Sequence, residues 1–205
     1  TIIGIDPTKL SKWSFWGSMG ETTITEGFDL LLTDIGGKYV VEIGSKKGET
    51  LISKYVPNAK KSTPVDLDAR EKCRKKVIES FSDKRKIAMK PDEITKLIRN
   101  NYDNPIWETQ AKKCYSCGSC NLVCPTCYCF DVKDNIELDL VTGERKRRWD
   151  GCLLEEFANV GSGENFRENR AERFRHRILR KTVFVPDIID GELACVGCGR
   201  CSEAC

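Results

Sequence analysis

The chain has 205 residues, 32% of them charged, with a formal net charge of only +3. That length allows one domain or two small ones around a modest core, and the near-balanced charge excludes the strongly basic surface of a nucleic-acid binder. Twelve cysteines would suggest a disulfide framework in a short secreted chain, but these residues show no signal-peptide pattern and no apolar run of membrane-spanning length. The thiols instead cluster at metal-ligand spacing, which points to a reducing, cytoplasmic setting.

In chain order, residues 1–62 read as a β-rich subdomain. Thr1-Ile2-Ile3-Gly4-Ile5 is a strand-like apolar run without an initiator Met. The segments 28–33 and 38–43 flank Asp34-Ile35-Gly36-Gly37, a hairpin with glycines at its turn, and the doubly apolar run Leu30–Leu32 predicts an interior strand. Composition turns polar around Pro57–Pro64, as in a linker.

Residues 63–113 read as a helical connector. Asp66 is expected to cap a helix reaching about Lys84, with Val77, Ile78 and Phe81 on its apolar side. Pro91-Asp92-Glu93 opens a second helix carrying Ile94, Leu97 and Ile98, and Asn104-Pro105 a third with Ile106 and Trp107. Residues 130–160 fit no single pattern beyond a turn at Thr142-Gly143 and the basic run Arg145–Arg148. The arginine-studded stretch Asn165–Lys181 predicts one helix, with Phe174, Ile178 and Leu179 on its apolar stripe. The fold class is α+β, a β-rich part followed by a mainly helical region at 114–205.

Two cysteine combs dominate this last region: Cys114-x-x-Cys117-x-x-Cys120-x-x-x-Cys124-Pro125, and Cys195-x-x-Cys198-x-x-Cys201-x-x-x-Cys205. This is the spacing of two-cluster iron–sulfur proteins, in which the fourth cysteine of each run ligates the other run's cluster. Eight thiols satisfy two [4Fe–4S] clusters: Cys114, Cys117, Cys120 and Cys205 for the first, Cys124, Cys195, Cys198 and Cys201 for the second. Gly118, Gly197 and Gly199 would let backbone amides approach inorganic sulfide, and Pro125 removes a donor after the fourth ligand. The seventy residues between the combs favour a helical dicluster arrangement over a small β-type ferredoxin, with each comb's last cysteine at a helix end. The chain closes on Cys205, a candidate ligand, so both ends read as internal to a longer protein.

Zinc is the competing metal, since Cys-x-x-Cys pairs also build tetrahedral sites. Two zinc sites would leave the third thiol of each comb spare, so ligand count favours iron–sulfur. Cys127, Cys129 and Cys152 lie outside the combs. Completed by Asp150 or another group they would hold a third iron–sulfur or metal centre; otherwise they pack as small apolar residues near the clusters, the reading slightly preferred. Cys73, in a lysine-rich helix, reads as an ordinary residue. His176, the one histidine, is either a ligand or proton relay, or a half-exposed side chain among arginines. The arginines either offset anionic clusters, meet an acidic partner, or form a solvated face. Gly161-Ser162-Gly163-Glu164 is a flexible loop, and no Gly-x-Gly-x-x-Gly dinucleotide signature occurs. Nothing resembles a nucleophile–base pair, so no catalytic residue is assigned.

The first comb with its continuation Cys124-Pro125-Thr126-Cys127-x-Cys129 resembles the iron–sulfur beta subunit of cytosolic sulfhydrogenases and the A subunit of anaerobic sulfite reductases. Arg147-Arg148-Trp149-Asp150-Gly151-Cys152, Asn165-Phe166-Arg167, Arg173-Phe174-Arg175 and Cys195-Val196-Gly197-Cys198-Gly199-Arg200-Cys201 resemble them too, as do Gly27-Phe28-Asp29-Leu30 and Val41-Glu42-Ile43-Gly44 upstream. The resemblance implies a subunit with two four-iron clusters, sitting between a flavin subunit that handles NAD(P)H and a catalytic redox subunit, with ferredoxin as another donor. One departure is visible: where relatives carry Cys-Phe-Cys before the Phe-Asp-Leu strand, this chain has Ser14-Phe15-Trp16. The sequence therefore predicts an electron-transfer subunit with no nucleic-acid partner, no membrane span and no substrate pocket of its own. The alternatives are a zinc-stabilised binding module and an oxidoreductase subunit with its own third metal site.

Overall fold

The computed structural model describes residues 1–19, 23–81 and 86–205 and divides into two compact units, Thr1–Lys86 and Ile87–Cys205. The first is built on a three-stranded sheet of order β1-β2-β3. Strand β1 (Ile3–Ile5) runs parallel to β2 (Leu30–Asp34), which pairs antiparallel with β3 (Tyr39–Ile43), Leu32 opposite Val41. The doubly apolar run does form the central strand, with Leu30 and Leu31, on opposite faces, both buried. Gly36 and Gly37 hold φ of 90° and 77°, the pair of positive values that a tight antiparallel turn needs.

The stretch expected to be β-rich also contains a helix, α1 (Lys46–Tyr55). Ser45 stands extended before it and its hydroxyl accepts from the Gly48 amide at 3.1 Å, a cap that the strand pattern upstream obscured. Helix α2 (Pro64–Glu79) is capped three residues before the residue expected to cap it: Thr63 is the cap, and Asp66 closes the box by accepting from the Thr63 amide at 2.8 Å. The expected end near Lys84 lies outside the described residues. Arg74 fastens α2 to the sheet, donating from Nε to Asp6 at 2.7 Å and pairing with Glu42 of β3, while Thr33 of β2 donates to the same Asp6 carboxylate at 2.6 Å.

In the second unit, α3 (Pro91–Asn100) and α4 (Ile106–Ala111) start where their prolines predict, and Asn104 accepts from the Ile106 amide at 2.9 Å. Residues that fitted no pattern form an antiparallel ribbon, β4 (Phe130–Ile136) with β5 (Gly143–Trp149). Its charges pair across the strands, Arg145 bidentate to Asp134 at 2.6 and 2.8 Å, and Arg147 lies over the Phe130 ring. Helix α6 (Arg170–Leu179) starts five residues later than expected and continues into a wider turn, Arg180–Phe184. The delay comes from Asn165, whose side chain donates to Glu155 and Asn159 and accepts from the Arg167 amide, holding those residues in a loop. Here α5 (Ser119–Leu122) and α7 (Arg200–Glu203) are four-residue helices, and Leu153, Leu179 and Val183, each 2% exposed, form the core around them.

Gly48 shows how local preference and packing oppose each other. Alanine is the better helix former by about 1 kcal/mol, yet a Cβ there would stand 2.0 Å from the Asp29 carbonyl oxygen. Gly48→Ala is expected to lower the unfolding midpoint, with a net loss of more than ~1 kcal/mol. Gly161→Ala, with nothing within 4 Å of its Cβ position, should leave the midpoint unchanged; thermal unfolding of both variants checks the pair.

Candidate metal centre

Both combs fold in the same way, for a reason visible in their backbone. The residue before the second cysteine is left-handed in each, Ser116 at φ 56° and Gly197 at 62°, and so is the residue after it, Gly118 at 74° and Gly199 at 78°. Such alternation curls a chain so that successive amides turn inward, a nest suited to anions. Glycine adopts this geometry freely, whereas Ser116 must be held in it. Gly118 is confined further by Leu154, whose Cδ2 would lie 3.1 Å from a Cβ. After Gly118 and Gly199 each comb enters a short helix, with Cys120 as second residue of α5 and Cys201 as second residue of α7. The two helices pack on each other, so combs seventy residues apart in sequence stand side by side. The fourth cysteines, Cys124 and Cys205, each follow the end of these helices by two residues.

Thiols of the two combs meet. Burial foremost pushes the Cys195 thiol up, and the neighbours that add to this are Cys201, Cys124 and Cys198. Cys120 is likewise raised by burial, against the pull of Arg177, with Cys114 and Cys201 adding to the rise. Cys124 is held down to about 4, first by a hydrogen bond from Cys127 and then by Thr126 and the charge of Lys181, which favours the thiolate that binds metal. Cys117 is also lowered, chiefly by the Ser119 hydroxyl 3.3 Å away.

The inward side of α6 explains how the combs are held. Arg173, Arg177 and Lys181 recur at i, i+4 and i+8, one stripe down the helix and its wide turn. Arg173 is 4% exposed and donates to the carbonyls of Arg167 and Glu168. Arg177 donates to the Cys120 carbonyl at 3.1 Å. Lys181, 7% exposed, donates to both Oγ1 and the carbonyl of Thr126 at 2.7 Å. Thr126 in turn donates to the Ala194 carbonyl, and the Ala194 amide to the Lys181 carbonyl at 2.9 Å. Thus the exit of the first comb and the entry of the second are tied through one buried lysine. The arginine-rich helix is therefore no solvated face along this stripe. Its i, i+4 spacing was the signal, present in the sequence but indistinguishable there from surface charge.

Cys127, Cys129 and Cys152 do come together, in a hydrogen-bonded set beside the combs. Asn121, itself 3% exposed, donates from Nδ2 to Cys152 Sγ at 3.3 Å and to Cys127 Sγ at 3.7 Å. Cys129 is held down to about 7 by a hydrogen bond from Cys152, which that bond and burial push up. The cavity they line with Arg177, Arg180 and Lys181 is only about 20 Å³. Asp150, considered as a completing ligand, accepts instead from the Gly151 amide at 2.7 Å. His176 packs on the Phe184 ring at 5.9 Å. Burial, then the Arg167 charge, lowers it from 6.5 to about 4, so it stays neutral near pH 7.

Among the described residues, no three Cys, His, Asp or Glu side chains close round one point as a single metal ion requires. Zinc would draw its thiolates to about 2.3 Å from one centre, whereas ligands of a four-iron cluster sit on different iron atoms and stand further apart. The donor set of thiolates and inward-turned amides, backed by buried cations, fits such a cluster. Among the described residues, too, no helix is long and apolar enough to cross a membrane.

Comparison with known proteins agrees with this geometry. Residues 113–205 match the 4Fe-4S dicluster domain family. Over 194 residues, 95% of this chain, the sequence is 31% identical to the sulfhydrogenase 2 subunit beta of Pyrococcus furiosus. The chain spans 56% of that relative's length. No solved structure matches significantly.

The lowered His176 predicts an acid-sensitive element outside the combs. The unfolded chain takes up this proton near pH 6.5 while the folded one resists until about 4, so the stability is full above pH 6.5 and falls as pH drops through that window. His176→Gln should flatten the decline in unfolding temperature between pH 7 and 4.5, measured anaerobically; parallel declines in both proteins would contradict the assignment.

Proposed function

We propose that the chain is an iron–sulfur electron-transfer subunit, on the premise that residues 113–205 match the 4Fe-4S dicluster domain family and that the sequence is similar to a sulfhydrogenase beta subunit. It relays single electrons between a flavin- or ferredoxin-linked subunit that handles NAD(P)H and a separate catalytic redox subunit. The surroundings of Cys195 carry the finer reading: the thiols that act on it electrostatically are Cys201 and Cys198 of its own comb and Cys124 of the other. That company supports crossed ligation, with Cys124, Cys195, Cys198 and Cys201 around one cluster and Cys114, Cys117, Cys120 and Cys205 around its twin.

When bound, each cluster supplies reversible one-electron chemistry at a potential set by charge, hydrogen bonds and solvent exposure. The chain's own residues set those terms. The left-handed positions Ser116, Gly118, Gly197 and Gly199 aim amides inward. Leu154 packs against Gly118 and covers the first comb on that side. Lys181 and Arg177 supply fixed positive charge beneath the thiolates of Cys124 and Cys120. Cys127, bonded to Cys124 and Asn121, and the Cys129–Cys152 pair stay outside this ligand assignment.

Anaerobically purified protein is expected to contain about eight irons and as many acid-labile sulfides per chain; two zincs without sulfide would instead support a zinc-stabilised binding module. Removing residues 195–205 should destroy both clusters, because each draws a thiol from the far comb. One cluster surviving with four native thiolates would refute the crossing. A third centre on the extra thiols would give a third EPR signal, lost in Cys152→Ser while two remain, and the reading expects none.

A further inference from the structure

Arg177 occupies a position that ligand counting does not explain. It lies on the inward stripe of α6, its Nη2 donates to the Cys120 carbonyl at 3.1 Å, and its Nε is buried with no hydrogen-bond partner among the described residues. The thiols its charge acts on are, in order, Cys120, Cys201, Cys127 and Cys124. Cys120 belongs to one proposed cluster, Cys124 and Cys201 to the other, so a single guanidinium faces ligands of both. It has no carboxylate among those neighbours. The two flanking cations do not span both sets: Lys181 donates to Thr126 and its charge acts on Cys124, and Arg180 lies over the Tyr128 ring at 5.1 Å. A guanidinium stays charged throughout the physiological range, and burying it is costly unless negative charge faces it.

We propose that Arg177 is the shared electrostatic positioning residue of the relay, a fixed cation between the two ligand sets that makes both centres easier to reduce and keeps their potentials linked. The inference rests on the crossed two-cluster reading above. Its physics is simple: four thiolates make each site anionic, and adding an electron adds negative charge at a site of low dielectric, where one opposite charge counts for more than in water. The Cys120 carbonyl bond fixes where that charge sits, and the thiols themselves offer no replacement cation.

The test is redox titration of the whole chain, monitored by EPR, in wild type, Arg177→Gln and Arg177→Lys. Iron content is measured first in wild type, and fewer than two clusters there refutes the underlying reading rather than this inference. With both clusters loaded, Arg177→Gln should move both midpoints negative by at least a tenfold change in the reduction equilibrium, which is about 59 mV for a one-electron couple. Arg177→Lys, which keeps the charge, should recover most of that shift. A fully loaded Gln variant with unchanged midpoints overturns the proposal, as does a shift confined to one cluster. If the Gln variant does not load, the Lys variant decides: midpoints near wild type support the role, and a tenfold displacement overturns it. Loss of iron from both variants also overturns it, because the residue would then serve assembly.

Discussion

The buried ammonium of Lys181 is the contact on which the metal-binding half depends. Its bonds to Thr126, together with the Thr126–Ala194–Lys181 loop of hydrogen bonds, join chain segments 55 and 68 residues apart. One partner lies directly after Cys124-Pro125 and the other directly before Cys195. A lysine this deep is unfavourable unless its donors are satisfied and negative charge lies near. Here both conditions are met, by Thr126 and by Cys124 and Cys129, whose thiols are held down towards the anionic form. The same feature that makes the lysine tolerable makes the combs adjacent, so packing and metal binding stabilise each other.

Charge balance follows from this arrangement. Two thiolate-bound clusters in one small domain would repel each other and resist reduction in an apolar pocket. The stripe of Arg173, Arg177 and Lys181 answers with three cations on one helical face, two of them aimed at sulfur and the third closing the loop before α6. Their neighbours at the other helical positions do different work: Arg175 stacks over Tyr102 at 4.1 Å and pairs with Asp103, and Leu179 fills the core. One arginine-rich segment thus supplies structure outward and electrostatics inward, and the i, i+4 period separates the two.

How much was legible in the sequence varies by residue. The interior strand at Leu30 and Leu31, the Gly36-Gly37 turn and the proline-led starts of α3 and α4 were readable because each depends on a few adjacent residues. Helix α1 was missed because its cap Ser45 follows directly on the strand pattern ending at Ile43, and Gly48 in its first turn is a poor helix former. The β4–β5 ribbon was missed because its strands are charged on both sides and carry few apolar residues; cross-strand pairs such as Asp134–Arg145 stand in for a buried face. The start of α6 was misplaced because Asn165 bonds to Glu155 and Asn159, partners invisible to a local pattern.

At the site the division is sharper. Covalent order alone determined which thiols are available, their pitch, and the glycines that let the backbone curl, because ligand spacing and φ preference are local properties of a chain. Tertiary structure decided that α5 and α7 bring the two combs side by side, that Asn121 bonds Cys127 and Cys152 with Cys129 beside them, and which of many cations lie near sulfur. Those outcomes depend on burial and on partners dozens of residues away, and a list of residue types carries neither.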